Sequence, residues 1–338
     1  MPCQTTLSLN PGGDNAMDNA VYASGIGAII GIRGNRLFQC NASTGAIITQ
    51  ADIGTFGRNG CLAYDSGSNK IFCSTWNTPH YDIQLVGLFQ TSVANRNLYR
   101  INPSTLAVEL TLDITTTFNL VNGLGHANDM TAQEAGICAM DSSGGNIYCR
   151  WWGNWINGGV SGGSLRFSAA NVATFTNGAE GVVGGYPGIV YASIGGHDNA
   201  LFCDQQGTQE IVLNDYTAVT ENTFHTANKN ILAVGFAPVQ QHVFITDVAQ
   251  LIYVYSTAGA SLTTINTGRA NFNGLSVRFD ATDGNIYVCG GNDNTIVQIN
   301  PATNAFVVIP GFDCPVDYVR AGATRFAVQA GSTPLKAF

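Results

Sequence analysis

The sequence predicts an all-β fold, a six-bladed β-propeller. Two kinds of hairpin turn recur along the chain with the same side chains at the same spacing. The later copies lie 46, 41 and 44 residues apart, which fits four-stranded blades of about 40–45 residues.

The first kind of turn joins strands A and B. Asp280, Gly284, Asn285, Ile286 and Tyr287 recur as Asp141, Gly145, Asn146, Ile147 and Tyr148. A looser copy holds Asp65, Asn69, Ile71 and Phe72. Asp caps such a turn by accepting from backbone N–H groups ahead of it, and Gly or Asn tolerates positive φ. The second kind joins strands C and D. Ile299, Asn300, Pro301 and Thr303 recur as Ile101, Asn102, Pro103 and Thr105, with a third copy at Cys40, Asn41, Ser43 and Thr44. The C strands begin at Leu37, Leu98, Leu165, Ile211, Ile252 and Ile296. Six C/D pairs imply six blades.

The C-terminal segments Val316–Gly322 and Thr324–Ala330 supply an A/B pair with no C/D turn after it. Leu37–Gln50 supplies a C/D pair, so strands from both termini are expected to share a blade and remove a sheet edge. Val21–Arg33 offers the alternative. Pairing with itself, it makes a seventh blade. Residues 1–338 are read as one domain.

The Asn-Pro-x-Thr and Asp…Gly-Asn-Ile-Tyr turns resemble the YVTN/NHL-type β-propeller repeats from about residue 20 to 330. The resemblance implies the fold and is almost silent on function. Enzymes of that group, such as lactonases and streptogramin lyases, place acidic or His residues at the top of a central channel. Their motifs do not map onto this chain.

Three insertions, 77–96, 115–135 and 152–163, fall in B-to-C or D-to-A connections, which a propeller places on one face. Long loops on a rigid scaffold are where function usually sits. Trp76, Trp151, Trp152 and Trp155 stand at B-strand ends or just beyond. They read either as blade packing or as an aromatic docking patch for a protein or a sugar ring. His80 and His126 join them as candidate binding residues on that face.

Candidate chemistry is sparse. Gly159, Ser161 and Gly163 match a nucleophile elbow, but no helix is expected to follow. His80, Asp82, His126 and Asp129 have no metal-ligand spacing. His197 and Asp198 fall in an A-to-B turn, and the sequon Asn41-Ala-Ser43 is itself a turn. No catalytic residue, metal or cofactor is assigned. Nine cysteines is an odd number, so at least one thiol stays free. Cys73, Cys149, Cys203 and Cys289 end apolar strands and are expected to pack as reduced core residues.

Composition narrows the function class. Only 11% of residues are charged, against about 25% in an ordinary domain. With 14 basic and 22 acidic residues and no basic run, nucleic acid is not the expected partner. No segment has the roughly 20 apolar residues that a membrane helix needs. Met1 to Asn15 lacks the pattern of a secretory signal, so synthesis in the cytoplasm is expected. The chain has three lysines, Lys70, Lys229 and Lys336, and interfaces are depleted in Lys and Glu. The resulting expectation is a non-enzymatic interaction subunit of a larger assembly, packing on other subunits or on copies of itself. In style it resembles bacteriophage virion components such as tail or host-contact proteins. The alternatives are an enzyme of the lactonase or lyase type and a propeller that binds host-surface carbohydrate.

Overall fold

Asn41, Asn102 and Asn300 build their turns with their own side chains. Asn102 Oδ1 accepts the Ser104 N–H at 2.9 Å, and Asn300 Oδ1 accepts the Ala302 N–H at 2.9 Å. Asn41 Oδ1 does the same for Ser43 and Thr44. The fifth residue then turns left-handed, as Gly45 (φ 71°), Leu106 (φ 57°) and Asn304 (φ 59°). A threonine hydroxyl one step earlier accepts the N–H that opens strand D. Identical local chemistry thus makes three equivalent hairpins.

The computed structural model describes residues 17–54, 59–76, 97–118, 136–154, 160–181, 188–204, 210–226, 231–247, 249–331 and 333–338. They form seven antiparallel sheets. The first holds β1 (Asn19–Ala23), β2 (Ala28–Arg33), β3 (Arg36–Asn41) and β4 (Ile47–Asp52). The second holds β5 (Asn59–Asp65), β6 (Lys70–Trp76), β7 (Asn97–Ile101) and β8 (Val108–Asp113). The third holds β9 (Gly136–Ser143), β10 (Asn146–Asn154), β11 (Val160–Ser168) and β12 (Phe175–Gly181). The fourth holds β13 (Ile189–Ile194), β14 (His197–Asp204), β15 (Glu210–Asp215) and β16 (Thr220–Thr226). The fifth holds β17 (Ile231–Ala237), β18 (His242–Asp247), β19 (Leu251–Ser256) and β20 (Ser261–Asn266). The sixth holds β21 (Ser276–Asp280), β22 (Asn285–Cys289), β23 (Thr295–Ile299) and β24 (Phe306–Pro310). The last holds β25 (Pro315–Ala321), β26 (Thr324–Gln329) and β27 (Leu335–Ala337).

Seven sheets correct the expected six. Val21–Arg33 does pair with itself, Val21 opposite Ile30, and β2 then pairs with β3. Leu37–Gln50 therefore completes the first sheet instead of the last. Among the described residues the last sheet draws its strands from the C-terminus alone, so a blade shared between the two chain ends in the expected way is not formed. The chain divides into two compact units. One is Asp18–Gly184; the other is Gly185–Phe338 with the N-terminal residues up to Met17.

In the first unit, side chains of β5 to β7 pack on those of β9 to β11, with Phe72 edge-on to Phe167 at 5.3 Å between centroids. The Asp18 carboxylate is buried and accepts the Gly34 and Gly60 N–H groups at 3.0 and 3.1 Å, with Arg33 at 3.3 Å. It ties the β2–β3 turn to β5. Burial holds its pKa above the ordinary carboxylate range, against the pull of Arg33 and the two N–H groups. In the second unit, Tyr287 and Tyr318 stack in parallel at 4.2 Å, and the terminal Phe338 ring closes on both edge-on.

Three A strands carry an extra residue near their start. Cys138 in β9, Leu232 in β17 and Val316 in β25 are skipped in the pairing with strand B. Each is buried, so the bulge turns one more apolar side chain inward.

Candidate functional site

The B strands of the second and third sheets end in the tryptophans singled out from the sequence. Trp76 is the last residue of β6, opposite Asn59. Trp151 lies opposite Ile137 and Gly163, and Trp152 opposite Gly136 and Gly162. Trp151 is 1% exposed and sits in the core with Phe72, Phe118 and Phe167. It is a packing residue, and its indole is not offered to a partner. Gly163 makes room for it: a Cβ there would stand 3.2 Å from the indole Nε1. The side chains of Trp76 and Trp152 lie outside the described residues. So do Trp155, His80, Asp82, His126 and Asp129.

The described residues reach only parts of the expected insertions. Residues 77–96 lie outside the described residues. The 115–135 insertion starts on a single helical turn, Ile114–Thr117, and Phe118 follows it into the core. Residues 119–135 are outside the description. The 152–163 insertion is shorter than expected, because β10 continues to Asn154 and β11 begins at Val160. Ser161 therefore belongs to a paired strand, opposite Gly153, in place of the strand-to-helix turn that a nucleophile elbow needs.

The remaining candidates are structural. His197 opens β14, and its Nδ1 is 2.5 Å from Asp215 Oδ2. Burial works against the Asp215 carboxylate, but the Ala218 N–H, His197 and the Thr217 N–H together hold its pKa below the ordinary value. Cys73, Cys149 and Cys289 are buried free thiols, as are Cys40, Cys61 and Cys138. Burial pushes the Cys40 thiol up to about 12 and Cys138 up to about 11, with Arg150 pulling the latter down. None is poised as a nucleophile. Cys203 lies in β14, its side chain outside the description. Cys314 is disulfide-bonded. Among the described residues no group of three or more His, Cys, Asp or Glu is placed to hold a metal ion, and no helix is long and apolar enough to cross a membrane.

Sequence reasoning passed over the outermost strands. In β4 and β20 the strand bulges near its start, at Ile48 and Leu262, and in β16 near its end, at Phe224. Edge strands bulged in this way resist pairing with another chain. The β24 strand differs: Phe306 to Pro310 pairs in unbroken register with β23 and carries no charged residue. Phe306 and Val307 are exposed on it. An uncharged run, Phe-Val-Val-Ile, was the available signal.

No family model matches the sequence, and no curated protein does. Solved structures match by fold. The β-propeller domain of Cps50 (Swd1) from Myceliophteria thermophila aligns over 98% of both chains, with a TM-score of 0.59 and 8% identity. The WD40 β-propeller domain of Doa1 aligns over 96% of this chain and 93% of its own, with a TM-score of 0.61 and 11% identity. The fold is a seven-bladed, WD40-like β-propeller. Identities this low speak for the fold alone. No family model supports the resemblance of the turn motifs to YVTN/NHL-type repeats.

Proposed function

We propose that this propeller is a non-enzymatic interaction subunit of a larger protein assembly. The observation that carries the reading is β24, an outermost strand that is regular, uncharged and apolar, with Phe306 40% and Val307 61% exposed. Such an edge is a template for a strand of another protein, with main-chain bonds for affinity and exposed side chains for specificity. The scarcity of Lys and Glu agrees, since these residues are depleted at interfaces. The finer setting we propose is a virion or tail assembly of a bacteriophage, its subunits made in the cytoplasm. Its support is composition. Trp76, Trp152 and Trp155, which fall near or beyond the ends of B strands in the sequence, are a second proposed contact.

The test is the solution mass of the purified chain, and of the native assembly, for Val307→Lys. A lysine on an edge strand opposes pairing with another chain. Loss of association with an unchanged melting profile supports the reading. Intact association in Val307→Lys, and again in Trp152→Ala/Trp155→Ala, overturns it.

A further inference from the structure

We infer that β24 pairs with the β24 of a second copy of this chain, antiparallel about a two-fold axis at Val308. The inference rests on the reading of β24 as a docking edge and names the strand that docks there.

The other outer strands are guarded. β4, β8, β12, β16 and β20 each break register with the strand beside them, and bulges of this kind deter pairing with another chain. Four of these strands also include an acidic residue, Asp52, Glu109, Glu180 and Glu221 in turn. The last sheet ends in β27, a short strand with Lys336 at its centre. Among the described outer strands β24 alone is both regular and uncharged.

The backbone fixes which groups face the open edge. The Asn300 N–H donates to the Ala305 carbonyl at 2.9 Å, so these residues form a hydrogen-bonded pair where the β23–β24 ladder begins. From there Ile299 lies opposite Phe306 and Thr295 opposite Pro310 without a shift. Hydrogen-bonded and non-hydrogen-bonded pairs alternate along an antiparallel ladder. Val307 and Ile309 therefore direct their main-chain groups at β23, while Phe306, Val308 and Pro310 turn theirs outward. Proline has no N–H, so the open edge offers two donors, at Phe306 and Val308.

That edge matches its own two-fold image. With Val308 opposite Val308 of the second copy, the two residues exchange both main-chain bonds. Phe306 then faces Pro310 of the second copy and donates to its carbonyl. Every donor on the edge is used, and the missing proline N–H leaves one carbonyl, at Phe306, to water. Val307 meets Ile309 of the second copy on one face of the joined sheet, and the two Val308 side chains meet on the other. A two-fold contact sets each strand against itself, so it tolerates neither a charge facing its like nor a bulge repeated on both sides. A charged partner would find no charge on β24 to recognise.

The experiment is sedimentation equilibrium of the purified full chain. A contact of one short strand per copy lies at the low end of interface size, so the series extends to high concentration. A monomer–dimer equilibrium is expected, with Val307→Lys sedimenting as a monomer and melting as the native chain does. Cysteine variants read the register under glutathione-buffered oxidation, scored against the native chain. Val308→Cys should link to itself, because hydrogen-bonded partners have Cα atoms about 5.5 Å apart. Val307→Cys should link only when mixed with Ile309→Cys. Self-linking of Val307→Cys, or a dimer in which Val308→Cys does not link, overturns the inference. So does a purified chain that stays monomeric throughout; if Val307→Lys still weakens the native assembly, the docking edge stands and its occupant is a foreign strand. A Val307→Lys chain unchanged in both its dimer and its native assembly overturns the β24 contact altogether.

Discussion

Arg278 grips Asp317 across two neighbouring sheets with a pair of parallel bonds. Nε reaches Oδ1 at 2.8 Å and Nη2 reaches Oδ2 at 3.0 Å. Arg278 is in β21 and Asp317, 2% exposed, is in β25. The fork geometry of guanidinium suits a carboxylate in this way. Removing the bidentate partner of so buried a carboxylate is costly, because the charge remains in place of its lost donors. Arg278→Ala is expected to destabilise the protein by about 2–4 kcal/mol in urea unfolding. A loss below half a kcal/mol would show that the pair contributes nothing.

Asp280 gives the second unit an acid-sensitive lock. Its carboxylate accepts the Tyr318 hydroxyl at 2.5 Å, Arg320 Nη1 at 2.8 Å and the Thr282 N–H at 2.9 Å. Burial opposes ionisation, but Tyr318, Arg320 and Thr282 prevail and hold the pKa below the ordinary carboxylate value. A depressed folded pKa contributes stability that is present above the unfolded value and lost as pH falls through the folded one. The advantage of the native chain over Asp280→Asn should therefore be full above about pH 5 and shrink below about pH 4. Urea midpoints for both proteins between these values measure it. An advantage that stays constant into acid contradicts the assignment.

Val219 is a strained copy of a sound turn. Asp215 Oδ1 accepts the Thr217 and Ala218 N–H groups at 2.8 and 2.9 Å, as the asparagines do in the other C/D turns. The fifth position, glycine or asparagine in two of those turns, is here a β-branched residue at φ 55° and 67% exposed. The left-handed conformation costs such a residue about 1 kcal/mol or more. Val219→Asn loses little burial, so it should stabilise the protein by roughly 0.5–1 kcal/mol. An unchanged or lower unfolding midpoint would count against the strain.

The hairpins were legible because their signals are local. Leu37, Leu98, Leu165, Ile211, Ile252 and Ile296 all fall in third strands, since an Asx side chain and a left-handed fifth residue act within one turn. The seventh sheet escaped the count for a physical reason. Its third strand, Leu335–Ala337, carries none of the Asx-turn residues that mark the other third strands. Long-range facts left no such trace. The bulge at Cys138 sets which residue of β9 meets Trp151, and nothing around Cys138 in the sequence announces it. The exposed apolar edge at β24 is recognised only once that strand is known to be outermost.

The thiols offer a direct chemical check. Cys61 Sγ lies against the Ser74 and Ile137 carbonyls, and burial with three neighbouring thiols raises its pKa. A maleimide at neutral pH should leave Cys40, Cys61, Cys73, Cys138, Cys149 and Cys289 unlabelled in the native protein. In denaturant without reductant seven sites should react, nine less the two joined at Cys314. Rapid native labelling of any of the six would show that its strand opens.

Trp151 separates packing from docking within one strand. Its indole fills the first unit's core beside Phe118, which stacks on Phe167 at 5.4 Å, and lies over the bare Cα of Gly163. Truncating a fully buried tryptophan removes its contacts and leaves a cavity that the rigid sheets close only in part. Trp151→Ala should thus cost about 3–5 kcal/mol. Gly163→Ala presses a methyl group towards Nε1 from the other side, and the indole has no free space to retreat into. That substitution should cost about 1–3 kcal/mol. Because both changes act on the same contact, the Ala pair should cost less than the sum of the single losses, the cavity of one accepting the methyl of the other. Urea unfolding of the two single variants and the double variant measures this coupling. Strict additivity would show that Trp151 and Gly163 do not share a contact.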